Sequence, residues 1–475
     1  MRIEEIRHWG ARIADWAARY LSTVRDRPVR TPQAPGVTLD ALPASPPRKG
    51  EDLAAIFADF ERVIVPGLTH WQHPRHFAYF PCNSSPPSVL AEYLTASLGV
   101  QCMLWQTSPA ATELEMRVMD WLRQMIGLPD GFHGVIHDTA SSATLSALLT
   151  AREKALAWRG NAKGLSGQPA VRVYCSEQAH SSVDKACWIS GIGQDNLVKL
   201  PSVGKLYGVD TAALERAIVA DKEAGHLPAA IVVSVGGTSV GACDDVRAIC
   251  EIARRHDLHV HVDAAWAGSA MICPEFRDLW NGVELADSVV FNPHKWLLTN
   301  FDCTAFFVRD PEALVKTLGI RPEYLKTPGS TVGRDGIINY SEWSLQLGRR
   351  FRALKLWFVI RAYGIEQLQA LIRDHVRWAQ DLAARIAAAP DFELVTPPIL
   401  SLLSFRYRPA GAGDLDALNA RLIQAINDDG RIYLTQTRFR DEFVIRFVIG
   451  QTYTAEADVA FAWEVIQQIA RGLPR

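Results

Sequence analysis

The sequence lacks the features that mark several broad classes of protein. It contains no stretch of 18 apolar residues, which argues against a membrane-spanning helix. It opens amphipathic, Met1-Arg2-Ile3-Glu4-Glu5, and not with the apolar core of a signal peptide. No block of like charge occurs. Fifty basic residues against 52 acidic ones give a net charge of -2, so neither nucleic acid nor an anionic membrane is an expected partner. The eight cysteines include no Cys-x-x-Cys pair, and most, such as Cys175 and Cys303, lie in or beside apolar runs. Buried reduced thiols are therefore expected, without a disulfide framework or a metal site. Internal repeats and low-complexity tracts are also absent. What remains is a globular chain with an expected cytoplasmic location.

At 475 residues, 48% of them hydrophobic and 21% charged, the chain suits a large domain with smaller companions. Ile6, Trp9, Ile13, Trp16, Tyr20 and Val24 recur at spacings of three and four, an amphipathic helix over residues 4–25. A Pro-rich tether (Pro28 to Pro47) and a second helix, about 51–65, follow. Their aromatic face needs a partner, and a second subunit is the economical one, so residues 1–80 are expected to be a helical dimerisation segment. Residues 81–360 are expected to form the large domain. Strand-like runs at Val171–Cys175, Ala230–Val235, Leu258–Asp263, Ser288–Phe291 and Cys303–Val308 alternate with helices, such as 244–256. That pattern predicts a mostly parallel, doubly covered sheet with its active site at the carboxyl ends of the strands. Pro322 to Tyr340, rich in glycine and without apolar periodicity, reads as a mobile lid. Residues 361–475 are expected to form a small C-terminal α/β domain.

Two strand ends carry the chemistry. Ser288–Phe291 runs into Asn292-Pro293-His294-Lys295-Trp296, and Leu258–Val262 runs into Asp263-Ala264-Ala265. A lysine past one strand and an aspartate past another is what a pyridoxal phosphate enzyme needs. The amine forms a Schiff base with the cofactor aldehyde, and the carboxylate keeps the pyridine nitrogen protonated. A lone lysine after a strand is ordinarily a solvated loop cation; this one sits between His294 and Trp296, poor in neighbouring charge. Asp138 to Thr144, a run of small and hydroxyl residues opening a helix, can cradle a phosphate, although an ordinary helix cap looks the same. His180 follows the strand ending at Cys175 and is either structural or stacked on a ring. Gly236-Gly237-Thr238 ends another strand with room for close backbone approach.

With these residues in place the chain resembles the pyridoxal-phosphate-dependent group II decarboxylases, specifically the aromatic-L-amino-acid decarboxylases. The likeness runs through His73-Pro74 to Phe80-Pro81, Ser108 to Glu115, Ala179 to Ser182, His261 to Ala270, Asn292 to Leu297 and Leu347 to Trp357. It implies a type I, aminotransferase-like α/β fold, an obligate homodimer and pyridoxal 5'-phosphate on Lys295. Asp263 would pair with the pyridinium, and Ala265 and His180 would cover the two ring faces. Thr139, Ala140 and Ser141 would hold the phosphate together with Ser288 and Asn292. Thr238 would lie near the ring and His294 beside the lysine. Tyr340 would match the family's loop tyrosine, which protonates the carbon that lost its carboxylate.

The resemblance also selects decarboxylation over transamination or racemisation, a choice that composition and spacing leave open. Trp71, Tyr79, Phe80 and His180, with Cys82, Met103 and Gly348, are the candidate contacts for an aromatic amino acid, while each aromatic also suits a core. Animal members usually have Thr at Cys82 and Phe at Met103. Plant members with Gly at the position of Gly348 tend to accept indoles and those with Ser prefer phenols, whereas animal members with Gly accept catechols. Dopa, tyrosine, phenylalanine, tryptophan and 5-hydroxytryptophan all stay open. The alternative within the same fold is an aromatic acetaldehyde synthase, which decarboxylates and oxidatively deaminates.

Overall fold

The computed structural model describes residues 3–320 and 337–473. Contacts divide the chain into two compact units. One comprises Met1–Pro81, Trp378–Thr396 and Ser404–Arg475; the other comprises Cys82–Arg377 and Pro397–Leu403.

The strands in chain order are β1 (His133–His137), β2 (Val171–Ser176), β3 (Leu197–Leu200), β4 (Ser202–Val203), β5 (Gly208–Val209), β6 (Leu227–Ser234) and β7 (His259–Asp263). They continue with β8 (Ser288–Phe291), β9 (Thr304–Val308), β10 (Phe392–Ile399), β11 (Leu402–Tyr407), β12 (Thr435–Phe439) and β13 (Glu442–Val448). The second unit is built on a seven-stranded sheet of order β1-β9-β8-β7-β6-β2-β3. Strands β3, β2, β6, β7 and β8 run parallel, and β9 runs antiparallel to both β8 and β1. The expected mostly parallel α/β sheet is therefore present. Its strands read as nearly continuous apolar runs because helices cover both faces; in β6 every residue after Leu227 is buried. The sequence reading missed β1, whose two histidines and glycine hide its apolar residues.

Pairing fixes which residues share an edge. The carboxyl ends of β1, β2, β6, β7 and β8 lie together, and the reversed β9 brings its first residue, Thr304, to the same edge, opposite His137.

In the first unit the helix Glu5–Thr23 buries no residue completely. Its aromatic face is nevertheless partly covered within the chain: Trp9 lies 5.8 Å from Phe57, Trp16 lies 5.0 Å from Phe60, and the Tyr20 hydroxyl is 2.9 Å from His70 Nδ1. The second helix is shorter than expected, Leu53–Asp59, and passes into a single wide turn over Phe60–Ile64. The N-terminal segment and most of the C-terminal four-stranded sheet (β10-β11-β13-β12) fall in one unit, where Phe77 stacks on Phe447 at 4.3 Å. Among the described residues no helix is long and apolar enough to cross a membrane. None of the eight cysteines is in a disulfide, and seven of them are buried.

Candidate active site

Lys295 is presented on one helical turn, Pro293–Trp296, that follows β8. Pro293 occupies the first helical position, where its fixed φ suits the turn and its missing N–H costs nothing. The Asn292 N–H donates to the Ala265 carbonyl (2.9 Å), tying this turn to the end of β7. Behind it Trp296 stacks on Trp266 (5.0 Å, 14°) and donates its indole N–H to His375 Nδ1 (2.9 Å). In front, Asn83 donates Nδ2–H to the Lys295 carbonyl (2.5 Å) and its backbone N–H to the His294 carbonyl (3.0 Å). The lysine backbone is thus held from both sides.

Asp263 is the last residue of β7 and is buried; its Oδ1 accepts from the Ala265 N–H (3.0 Å). His180 stands on the turn after β2. Its Nδ1 accepts from the Ser182 N–H (3.1 Å), which leaves the ring proton of the neutral imidazole on Nε2, free to donate outward. Although the residue is exposed, burial by surrounding protein pushes its pKa below the ordinary value. The Asp263 carboxylate opposes that shift and the Lys295 ammonium adds to it, so the three side chains feel one another.

The loop after β6 closes the group. Gly236 has φ +80°, and a Cβ there would lie 2.5 Å from that of Ala267. A Cβ on Gly237 would lie 3.2 Å from the Gln178 carbonyl, so the turn bearing Thr238 runs directly against the turn bearing His180.

At the β1 end, Thr139 is the extended cap of the helix Ala140–Ala155. The N–H groups of the first turn have no acceptor within the helix and point off its end. The Ser142 hydroxyl is engaged by the Asp138 side chain and by the Thr139 carbonyl, while Ser141 is exposed. Thr304 Oγ1 lies 2.8 Å from Asn292 Oδ1 and 3.2 Å from the Asp138 carbonyl, which joins the two segments expected to hold a phosphate. The donor set fits pyridoxal phosphate: an amine, a buried carboxylate, an imidazole and a helix N-terminus share one sheet edge.

Two expected members lie elsewhere. Ser288 starts β8, at the opposite end of that strand from Asn292, and is buried. Its hydroxyl sits between His261 Nδ1 (2.9 Å) and His259 Nε2 (3.2 Å), so it does not reach the phosphate cradle. Tyr340 is 2% exposed, in a core cluster with Val135, Phe306 and Trp343. Its ring lies under Arg349 (4.9 Å), and its hydroxyl donates to the Gly134 carbonyl at 3.4 Å. Burial pushes its pKa well above the ordinary phenol value. It is a packed core residue and not the tip of a lid; residues 321–336 of the expected lid lie outside the described residues.

His294 is buried, with Nδ1 accepting from the Cys303 N–H (3.0 Å), and burial pushes its pKa down to about 3. Cys82, Met103 and Gly348 belong to the unit that carries Lys295. Gly348 adjoins Gln101, whose Nε2 a Cβ would approach to 3.3 Å, and the Met103 carbonyl accepts from the Ser341 N–H (3.0 Å). Trp71, Tyr79 and Phe80 belong to the first unit. Trp71 stacks on Tyr79 (5.7 Å, 25°), and Phe80 is buried beneath Arg446. Sequence reasoning missed Asn83 and Thr304. The first adjoins the quoted Phe80-Pro81 stretch; the second reaches the site only because β9 is reversed.

Comparison with known proteins agrees with this geometry. The pyridoxal-dependent decarboxylase conserved domain matches residues 35–408. The chain is 41% identical to aromatic-L-amino-acid decarboxylase of Rattus norvegicus, over all of this chain and 99% of the relative. It is 40% identical to phenylacetaldehyde synthase of Arabidopsis thaliana, over 99% of this chain and 96% of the relative. A crystal structure of Oryza sativa TDC with PLP and tryptamine superposes with a TM-score of 0.95 at 37% identity, covering 99% of each chain. The chain belongs to the pyridoxal-dependent decarboxylase family.

Proposed function

We propose that this protein removes the carboxylate of an aromatic L-amino acid as CO2 and releases the arylalkylamine, using pyridoxal 5'-phosphate bound through Lys295. The convergence of Lys295, Asp263 and His180 at one sheet edge, where Asp263 and Lys295 both act on the His180 imidazole, carries this reading. When bound, the cofactor supplies an electron sink for the bond that breaks. The chain's own residues do the rest. Asp263, buried and anchored by the Ala265 N–H, holds a proton on the ring nitrogen by placing a negative charge beside it. The first-turn N–H groups of Ala140 and Ser141, with Thr139 and the Asn292 side chain, receive the phosphate. Ala265 and His180 would bound the ring, Thr238 would lie near it, and the Nε2–H of His180 would be a donor for the substrate carboxylate.

A proton must return to the carbon that loses CO2. Tyr340 is committed to the core, and Tyr324 is the other phenol of the segment 322–340. We assign the donor role to Tyr324, which lies outside the described residues.

The aldehyde-forming alternative draws support from the likeness to phenylacetaldehyde synthase. Incubating the holoenzyme with dopa, tyrosine, phenylalanine, tryptophan and 5-hydroxytryptophan, and quantifying CO2, amine, aldehyde and hydrogen peroxide, separates the two. Amine equal to CO2 without peroxide is expected. Aldehyde and peroxide equal to CO2 would establish the alternative, and no CO2 from any of the five would refute both.

We further propose a homodimer. The helix Pro86–Leu98 exposes Leu90, Leu94 and Leu98 at four-residue spacing beside Tyr93, an apolar stripe that a second subunit would cover. An active monomer in sedimentation would contradict this. Thiols that form no disulfide support a cytoplasmic location, and fewer than eight titratable thiols in freshly isolated, denatured protein would count against it.

A further inference from the structure

At the amino edge of the sheet, opposite the end that carries Lys295, a cleft of about 450 Å³ opens beside the starts of β6, β7 and β8. Its lining includes the apolar Ala155, Ala229 and Leu258, and its charged side chains are Lys154 and Lys316 against Asp257 and Asp287. Lys154 is also paired with Asp310 at 3.3 Å, outside the lining.

The wall is rigidly built. Ala157 and Trp158 are two consecutive non-glycine residues in the left-handed region, φ 50° and 61°. That conformation costs energy at each residue and persists only where the surroundings enforce it. Here the Trp158 N–H donates to the Glu153 carbonyl (2.7 Å), and the buried Glu153 carboxylate accepts from the Asn161 N–H (3.0 Å). Asn161 in turn donates to the Thr317 carbonyl (2.8 Å), which fixes the neighbouring Lys316 so that its ammonium stands 4.3 Å from the Trp158 ring centre. Strained backbone and the buried ion pair of Arg152 with Glu153 (2.7 Å) thus hold one indole and one ammonium in the lining of the cleft.

On the inner wall is His259, whose side chain is 9% exposed. Its Nε2 is engaged by Ser288, while its buried Nδ1 has no hydrogen-bond partner among the described residues, the Asp287 carboxylate standing 3.8 Å away.

We propose that this cleft is a second binding site, for a free α-amino acid in its zwitterionic form with an apolar or aromatic side chain. The ligand carboxylate meets Lys154 and Lys316, its ammonium meets Asp257 and Asp287, and its side chain packs beside Trp158. A simple anion would face two carboxylates, and a simple amine two ammonium groups, each a like-charge contact that costs affinity. A zwitterion satisfies both signs at once. The site is separate from the proposed active site and does not depend on that assignment.

The test is lysine footprinting by amine acetylation and mass spectrometry. It uses holoenzyme first treated with borohydride, so that added amino acid does not exchange at Lys295. L-tryptophan is the probe. At a concentration twice its dissociation constant, acetylation of Lys154 and Lys316 should slow about threefold by mass action. The exposed Lys163 and Lys205 should be unchanged. Tryptamine and indole-3-propionate, which keep the indole but lose one charge each, should protect far less. Unchanged rates at Lys154 and Lys316 up to saturating tryptophan would overturn the site. Equal protection by either single-charge analogue would overturn its assignment to a zwitterion. Because wild-type protein is used, neither result depends on a variant that must fold.

Discussion

Thr304 Oγ1 sits 2.8 Å from Asn292 Oδ1 and 3.2 Å from the Asp138 carbonyl, so one hydroxyl on the reversed strand β9 joins the lysine-bearing turn to the helix-opening segment. That single link sets the spacing between the two groups proposed to hold the cofactor phosphate.

Thr304→Val keeps the side chain's shape and removes this donor. The cofactor dissociation constant should rise roughly tenfold, about 1.4 kcal/mol, because the Asn292 amide is no longer oriented. Cofactor release followed by absorbance after gel filtration reads the effect, and release as slow as in the parent would remove Thr304 from the cradle.

Lys295→Ala should abolish borohydride-trapped cofactor, read by peptide mass mapping, while the fold survives. Its side chain is only half-buried, and the backbone contacts from Asn83 do not involve it. Label on another lysine in the parent protein would displace the assignment.

Ser288→Ala tests the corrected placement of that residue. The hydroxyl serves both His261 Nδ1 and His259 Nε2, and His261 continues through Nε2 to Thr144 Oγ1 at 3.2 Å. Removing it strands buried ring nitrogens, at a cost of about 1–3 kcal/mol in unfolding free energy, with cofactor affinity retained. A loss of cofactor affinity without loss of stability would return Ser288 to the phosphate.

The parallel sheet and the strand-end positions of Lys295, Asp263 and His180 were legible in the sequence, because buried strands announce themselves as apolar runs and parallel strands place their ends together. Ser288 and Tyr340 were not. Ser288 opens the strand that Asn292 follows, and proximity in sequence hid the four-residue strand that separates them. Tyr340 follows a glycine-rich stretch, and composition extended the lid over residues that tertiary packing draws into the core, where Ile338, Tyr340 and Trp343 are all buried. Thr304 and Asn83 were illegible for a different reason: each acts through a neighbour fixed only by strand order or by a distant turn.

Stability should fall as pH drops from about 6.5 toward 4. Burial pushes His76 and His137 down to about 4, and His261, His294 and His375 down to about 3, against an ordinary value of 6.5. Between those values the unfolded chain binds more protons than the native one, so stability is fully present above pH 6.5 and lost on acidification, by on the order of 1–3 kcal/mol for each ring. Asp244 opposes this. Burial raises it to about 6, above its unfolded value, which favours the native state at the lower end of the same window. Five rings outweigh one carboxyl, so the urea midpoint should be lower at pH 5.0 than at pH 7.5. A midpoint that rises on acidification would contradict the assignment.

Tyr340→Phe and Tyr324→Phe should separate packing from proton donation. The Tyr340 hydroxyl makes a long bond to the Gly134 carbonyl inside a core cluster, so its loss should cost about 0.5–1.5 kcal/mol of stability and leave amine as the product. Tyr324 is the remaining phenol of the segment expected to close over the site. Without its proton the carbon that has lost CO2 stays unprotonated longer and reacts with dissolved oxygen, giving aldehyde, ammonia and hydrogen peroxide in place of amine. Amine, aldehyde and peroxide measured together for both variants decide the assignment. Aldehyde from Tyr340→Phe with unchanged amine from Tyr324→Phe would restore Tyr340 as donor, and unchanged amine from both would place the donor outside this segment altogether.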